Sequence, residues 1–218
     1  MRIAFLGDSI TEGCGATSLD KCYVNQVGQI LGVEVLNYGV GGTRIAKQKE
    51  TSEVAQWDYD FLSRAEIMEK DIDLVIVFGG TNDYGHGLAP LGSVDDINPF
   101  TFFGSFKSLL DYISNKYGKE KIGVITPLRR YEDEVSNVSN GVSLSTYVSI
   151  ESYICNTYNI KYLDLFNKGI PKSKTNTGDI FTVDGLHPTD YGHRFIAEKI
   201  SDFIKSNWLS NSTCEDRL

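Results

Sequence analysis

The chain has 218 residues, a length one hydrophobic core can serve, and its 41% hydrophobic and 23% charged residues exclude a disordered or fibrous polymer. Lys and Arg number 21 against 29 Asp and Glu, a formal net charge of −8, and the densest basic cluster is Arg129-Arg130. An acidic surface of this kind repels phosphate backbones, which excludes nucleic acid as a partner.

The first apolar run, Ile3–Leu6, stops at Gly7-Asp8 and reads as a buried strand rather than a signal peptide. Ser9 follows it directly. Cys14 and Cys22 come next and are expected to be small buried hydrophobes. Together with Cys155 and Cys214 they show no CxxC spacing and no metal-ligand interval with His, so free thiols are expected and no metal site. Val33–Leu36 reads as a second strand, and Leu74–Phe78 as a third. That third run is the longest unbroken apolar stretch, at five residues, where a membrane span needs about 20. The chain is therefore expected to be soluble and cytoplasmic.

A helix is expected over about Phe100 to Tyr117, where Phe103, Phe106, Leu109, Leu110 and Ile113 fall at helical spacing. Ile122–Ile125 and Tyr162–Leu165 supply two more strands. In the last segment Ile196, Ile200, Phe203 and Ile204 form one stripe of a helix, with Pro188 before it and Thr189 or Asp190 as its cap. Continuous rather than alternating apolar runs mark strands covered on both faces. Five of them alternating with helices predict an α/β fold, a three-layer α/β/α sandwich on a five-stranded parallel sheet. No linker, repeat or low-complexity segment interrupts residues 1–218, so one domain is expected.

In such a fold ligands bind beyond the carboxyl ends of the strands. The residues following the first three strands are Gly7-Asp8-Ser9, Asn37-Tyr38-Gly39-Val40-Gly41-Gly42 and Gly79-Gly80-Thr81-Asn82-Asp83, all small and polar. A serine hydrolase needs a hydroxyl, an imidazole base, a group that orients the base, and donors for the oxyanion. Only His86, His187 and His193 can be the base. His187 lies three residues after Asp184, a spacing that lets the carboxylate reach one ring nitrogen while the other faces the crevice. Ser9 sits where a sharp turn would expose its Oγ; taken alone, it reads first as a helix N-cap. Gly42 has no Cβ to obstruct its N–H, and Asn82 can donate two N–H bonds while its oxygen anchors it. The alternatives are a φ > 0 turn for Gly42 and an Asx-turn for Asn82. Gly-x-Ser-x-Gly is absent, which disfavours an α/β-hydrolase.

Taken together these residues resemble the SGNH (GDSL-type) hydrolase family. Gly7-Asp8-Ser9-Ile10 resembles its first block, with Ile10 where the family's name has leucine. Asn37 to Thr43 resembles the second, Gly80-Thr81-Asn82-Asp83 the third, and Asp184-Gly185-Leu186-His187-Pro188 the fifth. The resemblance implies a flavodoxin-like sandwich and an ester hydrolase with no cofactor and no metal, acting on a small-molecule ester. It implies Ser9 as nucleophile, His187 as base and Asp184 as its partner. The implied oxyanion hole is the backbone N–H of Ser9 and of Gly42 plus the Asn82 amide.

Asp8 and Asp83 read as structural hydrogen-bonding residues, His193 as a surface or capping residue, and His86 as a candidate for the substrate mouth. Arg129 and Arg130 read as solvated loop residues, or as a contact for an anionic substrate group. The polar segments 84–99 and 128–142 suit a short acyl group, such as acetyl on a carbohydrate or small polar alcohol. Lysophospholipid or thioester hydrolysis is the alternative, and a non-catalytic binding module on the same fold the further one. The loop from Gly7 to Gly13 could be a nucleotide or flavin cradle, but it lacks Ser/Thr density and Glu12 carries the wrong charge.

Overall fold

The computed structural model describes residues 1–135 and 140–209. Its centre is a five-stranded parallel sheet in the order β2-β1-β3-β4-β5, with β1 at Arg2–Gly7, β2 at Glu34–Gly39, β3 at Leu74–Phe78, β4 at Ile122–Ile125 and β5 at Lys161–Leu163. β1, β3 and β4 are buried nearly throughout, as their continuous apolar runs require. The outermost strands β2 and β5 are only half-buried, because each has a neighbour on one side alone. The expected strand at Tyr162–Leu165 is shorter at its end. Asp164 caps a one-turn helix by accepting the Asn167 N–H, and this diverts Leu165 into that turn.

Helices cover both faces. Period-2 alternation sends Ala4, Leu6, Val75, Val77 and Val124 to one side, where they meet α3 (Phe61–Ile67), α5 (Phe102–Tyr117) and α6 (Leu144–Tyr158). Ile3, Phe5, Leu74, Ile76 and Ile125 point the other way, against α2 (Tyr23–Leu31) and α8 (Asp190–Ile204). Two one-turn helices, α1 (Ser9–Glu12) and α7 (Leu165–Lys168), and the six-residue α4 (Thr81–His86) complete the set. α5 and α8 begin as their sequences require, with Thr101 accepting the Gly104 N–H and Thr189 accepting that of Gly192. Ile196, Ile200 and Ile204 are fully buried along α8, while Phe203 at the stripe's edge is half-buried.

The strand order reverses direction between β1 and β3, which makes the crevice beyond those two ends the binding position of this topology. Ser9 follows β1 there and Asn82 follows β3. Among the described residues, no helix is long and apolar enough to cross a membrane.

Candidate active site

The turn that presents Ser9 is built from its neighbours. A Cβ at residue 7 would overlap the Thr11 side chain, so only glycine lets β1 turn straight into α1. Asp8 is the N-cap and accepts the Ile10 N–H at 3.0 Å. That leaves Ser9 as the first helical residue, 7% exposed, with Oγ 3.0 Å from His187 Nε2.

His187 is held by the loop before α8. One Asp184 oxygen accepts the backbone N–H groups of Leu186 at 3.0 Å and His187 at 2.7 Å, and the other lies 2.6 Å from His187 Nδ1. A carboxylate on Nδ1 fixes that nitrogen as the donor, which leaves Nε2 unprotonated to accept from the Ser9 hydroxyl. Burial pulls the Asp184 carboxyl up, but the hydrogen bonds from the His187 ring and from the two backbone N–H groups outweigh it and hold it below the usual range. The hydroxyl, imidazole and carboxylate thus form one continuous hydrogen-bonded chain.

The loop after β2 comes up beside Ser9, where a Cβ at residue 41 would lie 3.6 Å from the Ser9 Cβ. Gly42 has φ +76°, and a Cβ there would overlap the Trp57 indole. Both the backbone angle and the indole demand glycine. Asn82 is 6% exposed and its Nδ2 donates to the Thr43 carbonyl at 3.0 Å. The nitrogen therefore anchors the side chain, rather than the oxygen as the sequence suggested, because a carbonyl is what the folded loop offers. One N–H of that amide remains for another acceptor.

Asp8 and Asp83 are the structural residues expected. Asp83 accepts the N–H groups of Ile45 at 2.9 Å and Ala46 at 2.8 Å, pinning the chain beyond Gly42. Burial pushes the Asp83 carboxyl up to about 7 against those two bonds, and the Asp8 carboxyl up to about 6.

Several side chains depart from expectation. His193 is fully buried rather than a surface or capping residue. Its Nδ1 accepts the Tyr23 N–H at 3.3 Å and its Nε2 donates to the Cys14 carbonyl at 3.1 Å. Burial holds its pKa below the usual histidine value, so it is a neutral tie between α8, α2 and the segment after Ser9. Cys14 is exposed, since its turn leaves the sheet; Cys22 and Cys155 are buried, and all three are free thiols. Cys214 lies outside the described residues. Arg129 is held by Asp133 and Glu134. Arg130 is no solvated loop residue: it is half-buried over the Tyr84 ring, with Nη1 3.2 Å from Thr81 Oγ1. His86 ends α4 and packs on Trp57 with ring centroids 4.4 Å apart. Burial beside Arg44 pulls the His86 imidazole down to about 4, so it is neutral at physiological pH.

Two buried arginines had no signal in the sequence. Arg64 donates to the carbonyls of Gly7 at 2.8 Å and Tyr38 at 2.7 Å and to Thr43 Oγ1 at 2.8 Å, lacing the ends of β1 and β2 to the Gly42 loop. Burial lowers its pKa to about 10, still far above neutrality. Arg44 reaches Asp58 at 3.0 Å and Ser52 and fixes the turn that carries Trp57. Among the described residues, no group of three or more His, Cys, Asp or Glu could hold a metal ion.

Known proteins are similar to this chain in sequence and fold. The model of the GDSL-like Lipase/Acylhydrolase family matches residues 5–195. A crystal structure of a protein from Lactobacillus plantarum is 29% identical, with 95% of this chain and 97% of that one covered and a TM-score of 0.79. The lipase/acylhydrolase from Enterococcus faecalis is 22% identical over 94% and 95% of the two chains, with a TM-score of 0.67. The acetyl xylan esterase AlAXEase is 22% identical over 93% and 98%, with a TM-score of 0.66. No curated protein matches the sequence.

Proposed function

The chain belongs to the GDSL-like lipase/acylhydrolase family and is a carboxylic ester hydrolase, and from that premise we propose that it works through an acyl-enzyme on Ser9. The observation that carries the reading is the hydrogen-bonded path from Ser9 Oγ through His187 to Asp184, at 3.0 and 2.6 Å. His187 Nε2 takes the hydroxyl proton as Oγ attacks the ester carbonyl carbon, and a tetrahedral oxyanion forms. The N–H groups of Ser9 and Gly42 and the free N–H of Asn82 Nδ2 stabilise that oxyanion. The imidazolium, steadied by Asp184, then protonates the departing alkoxide. Water repeats the sequence on the acyl-enzyme, releasing the acid and restoring Ser9.

We further propose that the acyl group is short, acetyl foremost, on a carbohydrate or small polar alcohol. Two observations support this. The cavity beside Asp184 carries Arg130, Glu132 and Asn176 among its tyrosine, valine and leucine walls, so it is no purely apolar acyl channel. An acetyl xylan esterase is also among the proteins of this fold.

Hydrolysis of p-nitrophenyl esters from acetate to octanoate, by wild type and Ser9→Ala, tests both parts. Loss of activity in Ser9→Ala with its melting temperature retained is the expected result, together with rates that fall as the acyl chain lengthens. Persisting activity would remove Ser9 as nucleophile. A flat or rising chain-length profile would favour a lipid or thioester substrate.

A further inference from the structure

We propose that the cavity beside Asp184 is the subsite for the alcohol half of the substrate, and that it takes a neutral polyhydroxylated alcohol, a sugar, on Arg130 and Glu132. The inference rests on the serine esterase reading above and names the partner of that site.

Placement comes first from the chemistry. The base that removes the Ser9 proton must return it to the departing oxygen, so the alcohol leaves on the His187 side of the acyl carbon. A cavity of about 360 Å³ opens on the His187 side, lined by Asp184, Gly185 and Leu186 of the loop that carries His187, and faced by Tyr84, Arg130 and Glu132. That volume lies at the lower end of small-molecule sites.

The walls then select the ligand. Arg130 spends Nη1 on the Thr81 carbonyl and hydroxyl at 3.4 and 3.2 Å, and among the described residues no hydrogen bond engages Nη2. Glu132 brings an exposed carboxylate to the rim. It holds φ +59°, a left-handed backbone unusual for glutamate, and is kept there by a turn whose carbonyl accepts the Tyr84 hydroxyl. Strain of this kind persists where the surrounding structure enforces it, and ligand clamps are frequent places for it. An anionic ligand would meet Arg130 but also the carboxylates of Glu132 and Asp184. A cation would meet the guanidinium. A neutral polyol satisfies both, since its hydroxyls accept from Arg130 Nη2 and donate to Glu132.

The test compares kcat/KM for 6-O-acetylglucose, whose other hydroxyls are free, with that for p-nitrophenyl acetate, whose leaving group carries no sugar hydroxyls to recognise. Wild type, Arg130→Met and Glu132→Gly are measured, with melting temperatures. Arg130 also holds Thr81, so its variant could disturb α4; glycine at 132 suits φ +59° and keeps the fold. The sugar-to-phenyl ratio is expected to fall about tenfold or more in Arg130→Met, the scale of a lost charged hydrogen bond, and about threefold or more in Glu132→Gly, with KM for the sugar carrying the change. Equal losses on both esters would show that these residues act on the Ser9 machinery, and an unchanged ratio would show that the alcohol lies elsewhere; either overturns the proposal. Wild-type hydrolysis of p-nitrophenyl acetate without any on the acetylated sugar would also overturn it while leaving the serine esterase intact. Loss of both activities in wild type would instead overturn the esterase reading itself.

Discussion

Removing the Asn82 side chain separates its two tasks. One N–H of Nδ2 anchors on the Thr43 carbonyl at 3.0 Å, and the other is the proposed oxyanion donor. Asn82→Ala therefore leaves the Thr43 carbonyl without this donor, at about 1–3 kcal/mol for a buried group. At about 2–4 °C per kcal/mol for a chain of this size, the melting temperature should drop by roughly 2–12 °C. Loss of one oxyanion donor costs about 10²–10³ in kcat, or about 2.7–4 kcal/mol of transition-state stabilisation. Steady-state hydrolysis of p-nitrophenyl acetate, well below the lowered melting temperature, should show that loss in kcat with KM within about threefold of wild type. Asn82→Asp keeps the shape but loses both N–H groups and adds negative charge near the developing oxyanion, so it should fall at least as far. A kcat loss of less than about threefold, or one carried by KM alone, would refute the reasoning and leave Asn82 a scaffold for the Gly42 loop.

Other residues make separate claims. Arg64→Met strips donors from the Gly7 and Tyr38 carbonyls and the Thr43 hydroxyl, and at about 1–3 kcal/mol each, partly offset by methionine packing, should destabilise by roughly 3–5 kcal/mol; a denaturant midpoint within error of wild type would contradict it. Gly42→Ala should lower kcat by at least tenfold, because a methyl group at φ +76° collides with the Trp57 indole; full activity would mean the loop shifts without consequence. Glu151, on α6 against Gly80, is 1% exposed with neither carboxylate oxygen hydrogen-bonded among the described residues, and burial, with Asp83 and Asp8 adding to it, holds its pKa well above the usual carboxylate range. The folded state keeps a proton that the unfolded chain releases above about pH 4.5, so stability falls by about 1.4 kcal/mol per pH unit as pH rises until the folded group ionises. Glu151→Gln cannot titrate there and should show a flatter decline of melting temperature between pH 5 and 8; parallel curves would show that Glu151 is ionised in the fold.

Much of the fold and of the candidate site was legible in the residues themselves, because those parts depend on local pattern. Unbroken apolar runs at Ile3–Leu6, Leu74–Phe78 and Ile122–Ile125 can only be strands covered on both faces, and alternation with helical stripes forces a parallel sheet. The three-residue spacing of Asp184 and His187 made their contact a matter of one turn, and Ser9 directly after a strand placed its hydroxyl on the functional edge. Tertiary structure decided what depends on distant segments meeting. It alone brought Ser9 Oγ to His187 Nε2 across 178 residues of sequence. It buried His193 between α8 and α2, where an isolated polar residue on a helix gives no sign of its partners. Arg64 and Trp57 were silent for the same reason, since a cation or an indole becomes a staple or a wall only when carbonyls from β1 and β2, or a glycine from the loop after β2, arrive beside it. Even the orientation of the Asn82 amide was set this way, by a Thr43 carbonyl that only the folded loop could supply.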